Sequence, residues 1–275
     1  SLPTLERATV AAGWIYNAGE AGHGSGRGGP HSNRAADGGR ANHQMERAAR
    51  SWRMSAVGWD EFDHVCMARA LELAEQGQGQ VSPNPPVGCV LARDGEVIAE
   101  GWHDHLGDLH AEQAAIADAE ANGIPTQGAT AYVTLEPCNH HGRTPPCTEA
   151  LLWAGVGKVV IAAEDANPTV RGGGVDYLRN AGIDVRQGLM EAEARQQMAP
   201  FMLRFERRRP MVPMKAAMVR NRRVDAEHDA PLRFSSEESL VAVLELRSGL
   251  DAWVVGVNLV IWDYPQLTLR PVPLG

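Results

Sequence analysis

The amino-acid sequence predicts an α/β layer sandwich over roughly residues 60–206. Short runs rich in β-branched residues, such as AYVTL and KVVIAAED, alternate there with segments of helical periodicity. Two β-rich runs joined by Asp94-Gly95 precede the alternation, and this dipeptide between apolar runs is typical of a hairpin. At 275 residues the chain is long enough to bury a sizeable core. Strands separated by helices indicate a sheet covered by helices.

The predicted elements follow one another from Asp60 onward. Asp60 is a good N-cap for a helix over EFDHVCMARALELAEQ, and Gly77 can end it. The segment SPNPPVG then forces an extended, turn-rich loop before the hairpin. Later helices are expected near residues 110–121, 146–154, 174–180 and 190–206, separated by strands in AYVTL, KVVIAAED and IDVRQG.

Both flanks of this region differ from it in character. Residues 1–53 are rich in Gly, Ala, Arg, Asn and His, which predicts a disordered extension, with Met54 a plausible natural start of a first domain at 54–207. Residues 208–275 resemble the opening of a second α/β domain, with strands in RPMVPMKAAMV and LDAWVVGV around a capped helix in SSEESLVAVLELRSG. A nucleotide-binding domain usually needs about 100 residues, so we expect this segment to be incomplete.

Composition limits the partners and the compartment. No apolar run approaches the roughly 20 residues of a membrane helix, and the N-terminus lacks the apolar stretch of a secretory signal. Four cysteines are few for this length, and the formal net charge of −8 disfavours a general nucleic-acid binder. We therefore expect a cytoplasmic protein that acts on a small molecule, with no membrane or nucleic-acid partner.

One histidine and two cysteines predict a zinc site. His110, Cys138 and Cys147 form a borderline-soft ligand set, and three protein ligands leave the fourth tetrahedral position free for water. Glu112 lies two residues after His110, where it can carry protons without being a ligand, as in zinc deaminases. Each cysteine follows a proline, which predicts that a turn enters a helix at both cysteines and that helix N–H groups lower both thiol pKa values.

The other two cysteines are expected in the core. Cys66 lies on the apolar face of the first helix and Cys89 in an apolar strand, where free cysteines are commonly buried. A purely structural role for the other four residues is the alternative, but H-x-E followed by P-C and a second cysteine reproduces the zinc-deaminase signature. Eight residues lie between the two cysteines where the usual signature has two, so an additional loop lies between them.

That loop carries a family resemblance. The segments SPNPPVGCVLARDGEVIAEGWHDHLGDLHAEQAA, VTLEPCNHHGRTPPCTEAL and AAEDANPTVRGGGVDYLRNAGIDV closely resemble the deaminase domain of the RibD family of bifunctional riboflavin biosynthesis proteins. The resemblance implies a cytidine-deaminase-like three-layer α/β/α sandwich that binds one Zn²⁺. It also implies deamination of 2,5-diamino-6-(5-phosphoribosylamino)pyrimidin-4(3H)-one to the uracil derivative and ammonia.

The same resemblance implies the substrate contacts Asn84, His103, Arg143, Thr144 and Asn167. Arg143 can hold phosphate in two hydrogen bonds, with the Thr144 hydroxyl beside it. Asn84 and Asn167 both precede proline, so a turn-forming role alone is an alternative for each. His103 is alternatively an exposed loop histidine. The family pattern gives His140 and His141 no ligand role.

The resemblance weakens after residue 208. RibD proteins follow the deaminase with an NADPH-dependent reductase, and Lys215 matches one of its substrate contacts. Residues 219–222 read VRNR in place of the family's Ser-Leu-Asp-Gly turn, and residues 256–259 read GVNL in place of its Gly-Ser-Gly-Thr nucleotide loop. We expect no reductase activity and no NADPH binding, and an ordinary role for Lys215. Apolar residues of the last strand would need cover from the deaminase domain or from a second copy of the chain.

Two rival functions stay open from the sequence. One is a deaminase of the same fold acting on cytidine, deoxycytidylate, guanine or a tRNA base. The acidic chain disfavours a tRNA substrate, and a nucleoside substrate would not need Arg143. The other is a non-catalytic module stabilised by zinc, against which the intact Glu112 argues, since a structural zinc does not require it.

Overall fold

The computed structural model describes residues 58–141, 145–217, 236–263, 265 and 267. The disordered extension expected at residues 1–53 lies outside them. The helices are α1 (Glu61–Gln76), α2 (Ala111–Ala121), α3 (Cys147–Trp153), α4 (Gly173–Asn180), α5 (Glu191–Gln197), α6 (Ala199–Arg207), α7 (Glu237–Ser248) and α8 (Val257–Asp263). The strands are β1 (Gly88–Arg93), β2 (Glu96–Trp102), β3 (Thr130–Leu135), β4 (Lys158–Ala163) and β5 (Asp184–Gln187).

Helix α1 begins as its sequence predicts. The Asp63 amide donates to Oδ1 of Asp60 at 2.7 Å, and the Asp60 amide donates to Oδ2 of Asp63 at 3.2 Å. This reciprocal pair satisfies two amides that the first helical turn leaves without partners. Asp63 also accepts a 2.8 Å hydrogen bond from the buried Tyr132 hydroxyl, which fixes the helix on strand β3.

The five strands form one mixed sheet in the order β2-β1-β3-β4-β5. Strand β1 pairs antiparallel with β2 and β3, whereas β3, β4 and β5 are parallel. The predicted hairpin is confirmed, because Asp94 and Gly95 both have positive φ angles, 56° and 81°, as a two-residue hairpin turn of the favoured hand requires. The C-terminal ends of β3 and β4 therefore lie side by side at one edge of the sheet.

Helices cover both faces of the sheet. Alternate residues of the buried strand β4 show the two layers: Val160 and Ala162 pack with α1, α5 and α6, whereas Val159 and Ile161 pack with α2, α3 and α4. Cys66 and Cys89 are fully buried, one in each layer, so their predicted core positions are confirmed. The architecture is the predicted three-layer α/β/α sandwich.

Three predicted elements were wrong. The helix expected over 190–206 is two helices that part at Met198, because Pro200 cannot continue a helix that precedes it. Residues 211–217 form no strand, and residues 252–256 of the other predicted strand are irregular and lead into helix α8. In the described part of the chain neither segment has a neighbouring strand to pair with, and a lone strand is not stable.

The predicted capped helix near residue 240 is confirmed as α7. The Ser236 hydroxyl oxygen accepts from the Ser239 amide at 3.2 Å, which caps its first turn. Within the described residues, no helix has the length and apolar character needed to cross a lipid bilayer.

Candidate metal centre and active site

Three predicted ligands meet at one edge of the sheet. His110 is the N-cap residue of α2, Cys138 lies in the loop after β3, and Cys147 is the first residue of α3. The Nδ1 atom of His110 is 3.6 Å from Sγ of Cys138 and 3.3 Å from Sγ of Cys147. All three ligand atoms lie within 4.8 Å of one another, which is close enough for one metal ion to contact each of them.

Backbone hydrogen bonds hold the two cysteines in place. The Cys147 amide donates to Sγ of Cys138 at 3.4 Å, and the Thr148 amide donates to the Cys138 carbonyl at 3.2 Å. On the other side, the Gln113 side chain of α2 donates to the Pro145 carbonyl at 2.9 Å. The first turns of α2 and α3 and the loop after β3 therefore form one connected unit.

The prediction that both cysteines begin helices was half wrong. Cys147 is the first residue of a helix, as predicted. Cys138 lies in a loop, and its sulfur accepts a hydrogen bond from the Cys147 backbone amide at the start of that helix. A hydrogen bond from Cys147, His110 and the Cys147 amide together lower the pKa of the Cys138 thiol to about 4. The same hydrogen bond and burial raise the pKa of the Cys147 thiol. The shared hydrogen bond favours the charged form at Cys138 and the neutral form at Cys147, and a metal bound to both sulfurs would displace any remaining thiol proton.

Glu112 lies beside the three ligands without joining them. It is the second residue of α2 and is 3% exposed. Burial, and next the charge of Cys138, raise the pKa of its carboxyl, and the Cys147 thiol hydrogen-bonds to the carboxylate. A raised pKa makes it easier for a carboxyl to accept a proton and return it later, which is what a general acid–base does.

The chemistry of the donor set fits zinc. Two sulfurs and one imidazole nitrogen are the ligands of catalytic zinc sites that keep a fourth position open. The hydrogen bond with Cys138 is the largest cause of the raised pKa of His110. An exposed group formed by Asp104, His105 and Asp108 has only oxygen and imidazole ligands and lies in solvent.

His103 and Asn84 lie together next to the ligand cluster. His103 is 3% exposed, so the alternative of an exposed loop histidine was wrong. Its Nδ1 atom donates to the Leu109 carbonyl at 3.0 Å, which leaves Nε2 to accept from the Asn84 side-chain amide at 3.4 Å. Burial lowers the pKa of this imidazole, and the ring packs edge-on against His110 with centroids 5.3 Å apart.

Asn167 forms a turn and also faces a cavity. Its Oδ1 atom accepts from the amide and the hydroxyl of Thr169 at 3.2 and 2.9 Å. The alternative turn-forming role is therefore present, alongside a position on the cavity wall. Arg143 and Thr144 lie outside the described residues.

Two adjoining cavities open at the ligand cluster, with volumes of about 360 and 310 Å³. Volumes of this size suit a small-molecule ligand. The smaller cavity also reaches Glu112, Asp165 and Asn167, and helix α6 closes one side of it. The residues common to both cavities are Pro83, Asn84, His103, His110, Cys138 and His140.

Two carboxylates at this edge were missed by the sequence analysis. Glu136 is 3% exposed and accepts hydrogen bonds from four backbone amides, those of Asp165, Gly172, Gly174 and Val175. Asp165 accepts the Asn167 amide at 2.7 Å, and burial raises its pKa to about 6. The sequence could have indicated both residues, because each closely follows a parallel strand. Ligand sites commonly lie at the C-terminal ends of adjacent parallel strands.

Three cavity residues on α6 were also missed: Phe201, Arg204 and Phe205. No local pattern marked them, because they reach the site only through the path of the chain after β5.

Comparison with known proteins agrees with this geometry. The family model for the cytidine and deoxycytidylate deaminase zinc-binding region matches residues 60–163. Riboflavin biosynthesis protein RibD of Aquifex aeolicus is 42% identical over 213 residues, covering 78% of this chain and 59% of that protein. A diaminohydroxyphosphoribosylamino-pyrimidine deaminase of Buchnera aphidicola is 44% identical over 151 residues, covering 55% of this chain and 99% of that protein.

A solved structure gives the same result. The crystal structure of a diaminohydroxyphosphoribosylaminopyrimidine deaminase/5-amino-6-(5-phosphoribosylamino)uracil reductase from Thermotoga maritima is 42% identical, with a TM-score of 0.73. The likeness covers 76% of this chain and 60% of that one. The chain thus spans about three fifths of the length of these two-function relatives.

The three-layer sandwich and the His-Cys-Cys cluster beside a buried glutamate define a deaminase with the cytidine-deaminase-like fold. Almost the whole Buchnera relative aligns with this chain, and that match decides the family within the class. The chain belongs to the RibD family of diaminohydroxyphosphoribosylamino-pyrimidine deaminases. The fold class and the family resemblance predicted from the sequence are both confirmed.

Proposed function

We propose that residues 54–207 catalyse the zinc-dependent hydrolytic deamination of 2,5-diamino-6-(5-phosphoribosylamino)pyrimidin-4(3H)-one. The products are the 5-amino-uracil derivative and ammonia. The observation that carries the proposal is the position of Glu112, which is buried beside the three ligand atoms and faces the same cavity without being one of them. A relative of nearly the same extent as this region bears the name of the corresponding deaminase, which supports the substrate.

His110, Cys138 and Cys147 would hold one Zn²⁺ per chain, and the donor set matches that metal. Zinc bound there would lower the pKa of a water at its open position to near 7. Cys147 is buried and His110 and Cys138 are half-buried, and the latter two line both cavities. This burial strengthens the electrostatic interactions inside the site.

Glu112 carries the protons of the reaction. Its carboxylate takes one proton from the attacking water and delivers it to the ring nitrogen next to the amino-bearing carbon, while the carbon–oxygen bond forms. It then moves the second water proton to the departing nitrogen as the carbon–nitrogen bond breaks. Water and substrate are converted to carbonyl product and ammonia, and Glu112 ends in its starting state. The raised pKa of the buried carboxyl suits this two-way transfer.

The substrate contacts proposed are Asn84, His103, Arg143, Thr144 and Asn167. Support for Asn84 and His103 comes from their shared hydrogen bond beside His110 on the walls of both cavities. Neutral His103 presents a defined face because its Nδ1 proton is fixed by Leu109. Arg143, in the loop between the cysteines, would supply a cation for the substrate phosphate.

We expect no reductase activity from this chain. The residues VRNR and GVNL replace the backbone-flexible turn and the glycine-rich loop that the family uses in its reductase half. Lys215 is then an ordinary lysine. The proposed setting is the cytoplasm, with a small phosphorylated pyrimidine as the partner and self-association through exposed apolar residues such as Val254 and Val257 as an option.

The test measures ammonia release from the proposed substrate by the zinc-loaded chain, with NADPH consumption followed in the same reaction. Glu112→Gln should keep zinc and lower kcat for ammonia release at least about 100-fold, as is typical for a lost general base. Glu120→Gln is the matched control, because Glu120 is an exposed residue of the same helix. NADPH should remain unconsumed.

Other outcomes identify the rivals. Ammonia release from cytidine, deoxycytidylate or guanine, with none from the phosphorylated diaminopyrimidine, would contradict the proposed substrate but keep the class. Equal and negligible activity of the parent chain and Glu112→Gln, both folded and zinc-loaded, would support a structural zinc module.

A further inference from the structure

Helix α6 supplies an aromatic and cationic wall to the smaller cavity. Phe201 and Phe205 lie one turn apart with ring centroids 4.9 Å from each other, and Arg204 lies beside them. The guanidinium carbon of Arg204 is 5.6 Å from the Phe205 ring centre. Contact with an aromatic face limits where this long side chain can go, at a small energetic gain.

Arg204 is a cavity-lining cation that has no carboxylate partner in the described residues. Arg69, Arg171 and Arg195 pair with Glu100, Glu164 and Glu206 respectively. No carboxylate oxygen in the described ranges lies within 4.0 Å of the Arg204 guanidinium, although Glu206 is two residues away and pairs with Arg195 instead. A cation on a cavity wall without a carboxylate partner is available to an anionic ligand.

The charges lining the smaller cavity are divided between its walls. Three carboxyl groups come from the sheet edge and the start of α2, namely Glu112, Glu136 and Asp165, whereas α6 contributes Arg204. A phosphate dianion is repelled by the carboxylate side and attracted to the guanidinium side. A substrate that places an amino-pyrimidine at Glu112 can therefore best place its phosphate toward α6.

We propose that Arg204 binds the substrate phosphate and so sets the preference for a phosphorylated substrate. This inference rests on the proposed function, since it takes the reacting carbon to lie at Glu112. A guanidinium can present two N–H donors to one phosphate, and its charge is present at every physiological pH.

The test compares Arg204→Ala, Arg204→Lys and the control Arg207→Ala on the phosphorylated substrate and on its dephosphorylated form. Arg207 lies on the same helix, is exposed and does not line the cavity. Arg204→Ala should raise KM for the phosphorylated substrate about 10- to 100-fold, as expected for a lost charged hydrogen bond, with kcat nearly unchanged. KM for the dephosphorylated form should not change, and Arg204→Lys should recover part of the loss.

Binding of ribose 5-phosphate provides a measurement that does not depend on turnover. Calorimetry should show binding by the parent chain and by Arg207→Ala, and at least 10-fold weaker binding by Arg204→Ala. An unchanged KM and unchanged ribose 5-phosphate binding in Arg204→Ala would overturn the inference while leaving the deaminase function intact. An equal rise in KM for both substrate forms would also overturn it. Absence of ammonia from the parent chain, with Arg204-dependent ribose 5-phosphate binding, would sink the proposed reaction but retain the phosphate site.

Discussion

The backbone amide of Cys147 donates to the sulfur of Cys138 across 3.4 Å. Because the Thr148 amide also donates to the Cys138 carbonyl, the first turn of α3 closes the loop between the two cysteines. These two backbone hydrogen bonds therefore fix the distance between the two sulfurs, whatever the number of residues between the cysteines. This arrangement explains how a separation of eight residues yields the same kind of ligand cluster that two residues give in other zinc deaminases.

Replacing a cluster cysteine should remove the metal. In Cys138→Ser the soft sulfur ligand is lost, so zinc content should fall from about one ion per chain to well below half of that, because three protein ligands are the minimum for such a site. Metal content of the purified chain by mass spectrometry checks this. Cys66→Ser is the control, since it alters a buried cysteine on the opposite face of the sheet and should lower the melting temperature while keeping zinc. Normal zinc content in Cys138→Ser would show that the cluster is not the metal site.

Glu136→Gln should weaken the frame of the site. The buried carboxylate accepts four backbone amides, and an amide side chain would turn an NH₂ group toward some of them. Unsatisfied or opposed buried donors cost about 1–3 kcal/mol each, so the free energy of unfolding should fall by at least about 2 kcal/mol. Denaturant unfolding measures this, with Glu164→Gln as the control because Glu164 is a partly exposed neighbour that pairs with Arg171. If Glu136→Gln lowers the free energy of unfolding no more than Glu164→Gln does, Glu136 does not stabilise the loop.

Much of the sandwich followed from short-range signals. The Asp60 cap and the Asp94-Gly95 turn act within four residues, so their effect can be read without knowing the fold. The strand predicted at 250–257 was wrong because a strand depends on a partner that local sequence does not supply, and the apolar residues there adopt coil and helix instead. Pro200 indicates a helix break near Met198, but the apolar pattern continues through this position and predicts one helix.

The candidate site also contains some residues that local sequence predicts and others that only the fold brings there. His110, Glu112 and Cys138 carry a sequence motif because zinc chemistry restricts residue type and spacing, and the structure brings these side chains together as predicted. Arg204 carries no motif, since any helix passing the cavity can supply a cation at many positions. Glu136 resembles an ordinary acidic residue until its four amide partners are known.

Asp165→Asn should change how stability depends on pH. The pKa of Asp165 in the folded chain is about 6, above its ordinary value of 3.8, because burial and the nearby Glu136 and Cys138 disfavour its charge, while the Asn167 amide and His140 oppose them. Between these two values the folded chain holds a proton that the unfolded chain has released, so stability falls as pH rises through this window. The loss attributable to Asp165 should be roughly 1 to 3 kcal/mol by pH 7.

The amide variant cannot ionise, so this part of the pH dependence should disappear. The difference in unfolding free energy between Asp165→Asn and the parent chain should move in favour of the variant from pH 4.5 to pH 7, as measured by denaturant titration at both values. A difference that stays constant with pH would show that Asp165 titrates normally.

The segment after the sandwich contacts a loop that lines the cavities. Ser82 donates to Oδ1 of Asp251 at 2.5 Å, and its neighbours Pro83 and Asn84 form part of both cavity walls. At Gly79, where φ is +80°, an added Cβ would lie 2.5 Å from the Ser248 carbonyl oxygen, so the C-terminal end of α7 packs directly on this loop. The loop that presents Asn84 is therefore braced by residues that lie outside the sandwich.

Loss of this brace should affect substrate binding more than chemistry. Asp251→Ala should raise KM about two- to five-fold with kcat nearly unchanged, because a surface hydrogen bond to a charged acceptor contributes about 1 kcal/mol and the catalytic Glu112 is untouched. Ser82→Ala should have the same effect, and the double variant should be no worse than either single one, since both remove one interaction. Glu245→Ala, on an exposed position of α7, is the control. Additive effects of the two changes, or an equal fall in kcat, would show that the contact does not position the loop.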